Sequence, residues 1–195
     1  MNTDQKLILT DCDGVLLNWG RAFAFWMNKA GYVLHDDTTY AIETRYRITK
    51  AEAGGLVKKF NSSPEIGILP PLRDAVEYVR KLHFEHGYCF LVITSLGASP
   101  ETKAGRVRNL QTIFGPEVWK NIICLPVEAS KKESLMPYRD SNLFWIEDKI
   151  ENAELGLELG LRSLVMNQLN NQAASIDAPR FDTWKEIHEY VLKNS

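Results

Sequence analysis

The feature that most constrains this chain is Leu7–Thr10, a short apolar, β-prone run that stops at Asp11-Cys12-Asp13-Gly14 before Val15, Leu16 and Leu17. A continuous apolar run bounded by a turn signal suits a strand covered on both faces, as in a parallel sheet. Open sheets of that kind take their ligands beyond the carboxyl ends of the strands. Two carboxylates one residue apart at such an end repel each other unless a cation or a shared proton lies near them. Gly14 gives the chain freedom to turn away sharply. An EF-hand calcium loop does not fit, because the fifth position counted from Asp11 is Val15, where another oxygen ligand is needed. A plain surface turn fits less well, given the apolar residues on both sides.

The same arrangement recurs downstream. Tyr88–Ile93 is an apolar run ending in Thr94-Ser95-Leu96-Gly97, and Leu143–Ile146 is another, ending in Glu147-Asp148-Lys149. Asn121–Leu125 and Leu161–Met166 read as further strands. Segments of helical period separate them: Pro71–His86, Pro100–Phe114, a short helix to Tyr138 opened by a Ser130–Glu133 capping box, Ile150–Leu159, and Phe181–Lys193 with Trp184, Ile187 and Val191 on one side. Lys103, Arg106 and Arg108 read as the solvated face of their helix. Asn167–Ala178 reads as a polar loop with no chemical signal. Alternating strands and helices predict an α/β fold with a parallel sheet flanked by helices.

Between the first strand and this regular series the strand pattern vanishes. Phe23, Trp26 and Met27 recur at helical spacing, and Thr39–Tyr46 and Thr49–Phe60 read as helices, the second weakened by Gly54-Gly55. The turn-rich stretches 61–64 and 67–71 mark a return. A small helical cap inserted at 18–69, above the sheet's carboxyl edge, is expected, with 1–17 and 70–195 forming the core.

Composition narrows the classes. At 195 residues and a formal charge of −2, the chain suits one α/β domain and carries no large basic surface, so nucleic acid is not an expected partner. No apolar run approaches the roughly 18 residues of a membrane span. The N-terminus lacks the layout of a signal peptide. Cys12, Cys89 and Cys124 are odd in number and widely spaced, which predicts reduced core thiols in a cytoplasmic protein. Strand alternation points Cys12 away from its aspartate neighbours, toward packing.

In a parallel sheet the strand ends meet at one edge, which brings Asp11, Asp13, Thr94, Ser95, Glu147, Asp148 and either Lys131 or Lys132 around one crevice. Their chemistry fits phosphoryl transfer. Asp11, Asp13, Glu147 and Asp148 are candidate oxygen ligands for Mg²⁺. Asp11 is placed to attack phosphorus, Asp13 to protonate the leaving oxygen and then activate water. Thr94, Ser95 and a lysine are placed to bind the phosphate oxygens.

DCDGV, VITS, the lysines of SKKESL, and WIEDK resemble, in order, the four motifs of the haloacid-dehalogenase-like phosphohydrolases. The resemblance spans essentially the whole chain. It implies a Rossmann-like core with a helical C1-type cap. It also implies Asp11 as nucleophile, Asp13 as acid/base, Thr94 as phosphate ligand, Asp148 as metal ligand supported by Glu147, and a phosphate-steadying lysine at 131 or 132. Asp13 favours a phosphatase or phosphomutase over the family's dehalogenases and transport ATPases, which lack this aspartate.

FNSSPEIGILPPLRDAVEYVRKL, followed by a strand ending in Thr-Ser, is similar to the cap-to-core return of 5′(3′)-deoxyribonucleotidases. This likeness implies a nucleoside monophosphate as the small phosphorylated substrate, its base stacked among Phe23, Trp26, Tyr40 and Tyr46. Asn18-Trp19 and Glu147-Asp148-Lys149 depart from that pattern. A phosphatase for a sugar phosphate and a non-catalytic phosphate-binding protein are the alternatives. The sequence leaves a homodimer open.

Overall fold

A computed structural model describes residues 6–97, 99–127 and 129–195. The first five residues of the expected core segment 1–17 lie outside these. Strands β1 (Lys6–Thr10), β2 (Tyr88–Ser95), β3 (Trp119–Leu125), β4 (Phe144–Glu147), β5 (Arg162–Met166) and β6 (Arg180–Phe181) form one parallel sheet in the order β3-β2-β1-β4-β5-β6. From β1 the chain builds outward through β2 to β3, then returns to place β4 on the other side of β1. The order therefore reverses between β1 and β4, where such sheets open a crevice. The expected α/β sheet flanked by helices is the observed fold.

Period-2 alternation divides the sheet's side chains between two layers. Ile8, Phe90, Val92, Phe144, Ile146, Leu164 and Met166 join the larger core on one face. Leu9, Leu91, Ile93 and Trp145 pack on the other with Leu135, Leu159 and Leu161. All are buried, as the near-continuous apolar runs require.

Helices α1 (Trp19–Lys29), α2 (Ile42–Tyr46) and α3 (Lys50–Asn61), and a 3₁₀ turn at Pro64–Ile68, lie between β1 and β2 in sequence. Asn18 caps α1 by accepting from the Arg21 N–H at 3.1 Å. Phe23 is the centre of an aromatic cluster, stacked on Trp19 at 4.6 Å and edge-on to Phe60 at 5.4 Å and Tyr46 at 6.1 Å. Helix α3 runs through Gly54-Gly55, held by Ala53 and Phe60 in the core.

The remaining helices are α4 (Ala75–Phe84), α5 (Pro100–Phe114), α6 (Lys132–Leu135), α7 (Ile150–Glu158) and α8 (Trp184–Lys193). Several boundaries differ from the expected ones, each for a tertiary reason. α4 starts at Ala75, not Pro71, because Leu72 donates to the Leu16 carbonyl at 2.8 Å and Pro71 bridges Leu17. Asp74 instead caps α8, accepting from the N–H groups of Trp184 and Lys185 at 3.0 Å each. Phe181 belongs to a sixth strand, since Asn167 N–H donates to its carbonyl at 2.7 Å, and α8 begins after a Thr183–Glu186 capping box. The Ser130–Glu133 capping box is absent, because Ser130 Oγ accepts from Lys132 N–H and Lys131 turns inward. Arg106 is 0% exposed, so the solvated-face reading of α5 fails there. Among the described residues no helix is long and apolar enough to cross a membrane.

Candidate active site

The crevice at the strand-order reversal is a cavity of about 860 Å³. Its floor carries Asp11, Asp13, Thr94, Ser95, Lys131 and Asp148. Its opposite wall comes from α1 to α3, with Trp19, Arg21, Arg45 and Val57. Asp11 stands one residue beyond β1, and its N–H extends the sheet by donating to the Ile146 carbonyl at 2.8 Å. That bond fixes the spacing between Asp11 and the acidic end of β4.

Lys131 joins the two strand ends. Its Nζ lies 2.7 Å from Asp11 Oδ1 and 2.8 Å from Glu147 Oε1, and the side chain is almost fully buried. Lys132, one residue on, is exposed and does not line the cavity. Glu147 is fully enclosed; besides Lys131 it accepts from Asn152 Nδ2 and, at 3.0 Å, from the Asp148 N–H.

Asp11, Glu147 and Asp148 each offer a carboxylate oxygen within 4.8 Å of the others. Burial, and then the Asp11 charge, push the Glu147 carboxyl up to about 7, against the pull of Lys131. Burial, with Glu147 and Asp11 alongside, raises Asp148 well above the usual carboxylate range. One lysine thus leaves three buried carboxylates under-neutralised. An oxygen-lined, electron-rich site of this kind fits a hard divalent cation, which would relieve the repulsion.

Gly14 belongs to the same construction. Its φ is +80°, and a Cβ there would fall 2.2 Å from Asp148 Oδ2. Gly14→Ala is therefore expected to cost about 1–2 kcal/mol for the left-handed backbone alone. It would also displace the Asp148 carboxylate. Thermal unfolding with and without Mg²⁺ checks this: the variant should melt lower and lack the cation-induced rise expected of the parent.

Thr94 closes the floor at the end of β2. It is 1% exposed, and its Oγ1 has no hydrogen-bond partner among the described residues. A buried unpaired hydroxyl costs about 1–3 kcal/mol, which an anionic ligand in the cavity would recover. Ser95 lines the cavity beside it.

Asp13 departs from the expected carboxylate set. The chain leaves β1 in a tight turn, with Leu16 and Leu17 N–H groups both donating to the Cys12 carbonyl. The Asp13 carboxylate thereby meets Arg106 on α5, bonded at both oxygens, with Nη2 to Oδ2 at 3.0 Å. It is absent from the cluster of Asp11, Glu147 and Asp148, so its side chain is not placed as a fourth metal ligand. Burial raises the Asp13 carboxyl above its ordinary value, and Arg106 opposes that rise. Arg106 Nη1 also contacts Cys12 Sγ at 2.8 Å.

Two further participants escaped the sequence reading. The polar stretch 167–178 is built into the site: Gln168 Nε2 donates to the Gly14 carbonyl at 2.6 Å, and the buried Asn171 donates to the Asp148 carbonyl at 2.7 Å. No sequence pattern announces such bonds, because backbone carbonyls exist everywhere. Arg106 did leave a signal. Thr102, Gly105, Arg106, Asn109 and Leu110 keep the spacing of one buried helix face.

The four aromatics proposed for base stacking separate. Phe23 and Tyr46 are packed inside, and Trp26 leans on Phe60 at 5.7 Å. Tyr40 alone of the four lines the cavity, 54% exposed, with Lys149 Nζ 5.6 Å from its ring centroid.

No protein-family model matches the chain. It is 25% identical over 199 aligned positions to the uncharacterized 32.4 kDa protein of the Gp30-rIII intergenic region of Enterobacteria phage T4, covering 96% of this chain and 70% of that protein. Among solved structures it is similar to a haloacid dehalogenase-like hydrolase from Streptococcus pneumoniae, with a TM-score of 0.66 at 15% identity over 95% of this chain and 98% of that one. It is also similar to the D,D-heptose 1.7-bisphosphate phosphatase of B. bronchiseptica, complexed with magnesium and phosphate. There the TM-score is 0.61 at 12% identity, over 97% of this chain and 99% of that one. At such identities the likeness is one of fold.

Proposed function

We propose that this chain, which folds as the haloacid-dehalogenase-like hydrolases do, is a Mg²⁺-dependent phosphomonoester hydrolase. The observation that carries this reading is the meeting of the Asp11 and Asp148 carboxylates, a buried lysine and a threonine hydroxyl without a partner among the described residues in one crevice, with the Glu147 carboxylate enclosed behind them. The magnesium and phosphate in the B. bronchiseptica structure support it.

In this reading Asp11 and Asp148, with Glu147 behind them, hold the cation. When bound, it supplies the positive charge that draws in the phosphoryl group and offsets charge on its oxygens. Lys131 engages Asp11 Oδ1, which leaves Oδ2 to attack phosphorus. The bond from phosphorus to the ester oxygen breaks, and the departing oxygen takes a proton from Asp13. Thr94, Ser95 and Lys131 bind the phosphoryl oxygens during transfer. Water, giving its proton back to Asp13, then attacks the aspartyl-phosphate, releasing inorganic phosphate and restoring Asp11. The segment 18–69 acts as the cap over this chemistry, and the cavity wall it contributes selects the leaving group.

A nucleoside monophosphate is the substrate proposed first. The cavity has room for one, and Tyr40 offers an accessible ring face. A second reading rests on Arg21, Arg45 and Lys149, which line the same cavity. Among the described residues Arg45 makes no ion pair and its buried Nε has no hydrogen-bond partner. Those cations favour a leaving group with its own negative charge, such as a sugar bisphosphate.

Phosphate release from a panel of nucleoside monophosphates, sugar phosphates and sugar bisphosphates, with Mg²⁺ and with EDTA, tests both. Cation-dependent release strongest on nucleoside monophosphates is expected. Strongest release from bisphosphates would move the assignment to the second reading. A folded protein that binds Mg²⁺ and releases phosphate from none would be a binding protein rather than a hydrolase.

A further inference from the structure

Arg106 is the largest fully buried charged side chain among the described residues, and the mechanism above does not use it. It sits in the middle of α5, on the helix that follows the Thr94 strand end. The helix is brought close by a small-residue crossing: a Cβ at Gly67 would lie 3.6 Å from Gly105 Cα. Asn109, one turn further on, donates to the Leu69 carbonyl at 3.2 Å. The guanidinium is thus carried beneath the crevice, where it takes both oxygens of Asp13 and touches Cys12 Sγ. Its Nε has no hydrogen-bond partner among the described residues.

Taking a guanidinium out of water costs several kcal/mol unless the pair geometry is very good, and similar volumes of apolar side chain commonly do as well for stability alone. A bidentate Arg–carboxylate pair adds what an apolar replacement lacks: it fixes the plane of the carboxylate. Asp13 needs such a guide. It lies beyond the end of β1 in a turn, and its side chain is 22% exposed at the cavity floor. Without a partner its carboxylate would be free to swing toward the same cation as Asp11, two residues away.

We infer that Arg106 is a positioning residue that holds the Asp13 carboxylate out of the Asp11–Glu147–Asp148 cluster and aimed at the leaving-group oxygen. This rests on the reading of Asp13 as the acid that protonates that oxygen. A general acid matters most when the leaving group is poor, so the loss on disturbing it grows with leaving-group basicity. A purely structural arginine would instead lower activity evenly across substrates.

The test is kcat/KM with Mg²⁺, which reports the steps up to departure of the alcohol, for 4-nitrophenyl phosphate, phenyl phosphate and a primary alkyl phosphate. The parent, Asp13→Asn, Arg106→Met, Arg106→Lys and the Asp13→Asn/Arg106→Met double variant are compared. Arg106→Met should lose roughly 10²–10³-fold on the alkyl ester and less than about 10-fold on the nitrophenyl ester, as should Asp13→Asn. The double variant should be no worse than Asp13→Asn alone, since the two residues act as a unit. Arg106→Lys keeps the buried charge but cannot form the fork, so it should show the same leaving-group bias more weakly. It also serves where Arg106→Met does not fold. An even loss across the three esters in the arginine variants, with a biased loss in Asp13→Asn, overturns the role of Arg106 and leaves the hydrolase reading intact. A parent that hydrolyses none of the three esters overturns that reading and this inference with it.

Discussion

Asp11→Asn is expected to reduce phosphate release by at least about 10⁴-fold, the scale seen when the attacking group of a covalent mechanism is removed. The fold should survive. An amide oxygen can take the place beside Lys131 Nζ, which now lies 2.7 Å from Oδ1 in an ion pair. Losing one charge also relieves the crowding of Glu147 and Asp148. The charge lost opposite Lys131 and the crowding relieved act in opposite directions, so thermal stability should stay within about 1 kcal/mol of the parent. Phosphate release and a melting curve on the same preparation check both halves. Retained turnover would mean that another group attacks phosphorus, and Asp11 would lose its assigned role.

Lys131→Met is the variant expected to cost most in stability. Lys131 is 3% exposed and is the cation between Asp11 and Glu147. Its removal leaves two buried carboxylates facing each other, a change worth about 3–5 kcal/mol. For a chain of this size that is roughly a 10 °C fall in melting temperature. Turnover should fall too, because a phosphate-binding cation is lost.

The deficit should depend on pH in a stated direction. The Glu147 carboxyl titrates at about 7 in the fold, above its ordinary 4.5. A raised carboxyl favours the folded state when protonated, so its contribution to stability is lost as pH rises from 4.5 through 7. Lys131 opposes that rise, and without it the carboxyl moves higher still. In EDTA, the gap between Lys131→Met and the parent should therefore be wider at about pH 8 than at about pH 5.5. Lys132→Met, at an exposed position, should stay within about 0.5 kcal/mol of the parent at both. Equal effects of the two substitutions would remove Lys131 from the centre of the site.

The legible and illegible parts of this chain differ in the range of the interactions behind them. Leu7–Thr10, Tyr88–Ile93 and Leu143–Ile146 read as buried strands because a strand covered on both faces has nowhere to put a polar side chain. The polar residues at their ends then had to meet, since parallel strands share one carboxyl edge. Asp11, Thr94 and Asp148 follow from that argument, and the structure places all three in one cavity. Arg106 did not follow. A charge on a helix is solvated by default, and the partner that draws it inward lies 93 residues away in sequence. The choice between Lys131 and Lys132 rested on where a four-residue helix begins, and one residue decides which ammonium enters the core. Tyr40 and Phe23 are alike as aromatics, yet one lines the cavity and the other is sealed in the cluster of Trp19, Tyr46 and Phe60.

By itself the sequence determined the class of fold and the kinds of group at the sheet's carboxyl edge. Both depend on periodicity and punctuation within a few residues, where sterics and burial leave little choice. The tertiary structure alone decided which charged and polar groups meet: Lys131 between Asp11 and Glu147, Arg106 under Asp13, Gln168 and Asn171 on the carbonyls of Gly14 and Asp148. Coulomb and hydrogen-bond energies change steeply over an ångström. Contacts between groups far apart in sequence are set at that precision only when the whole core has packed.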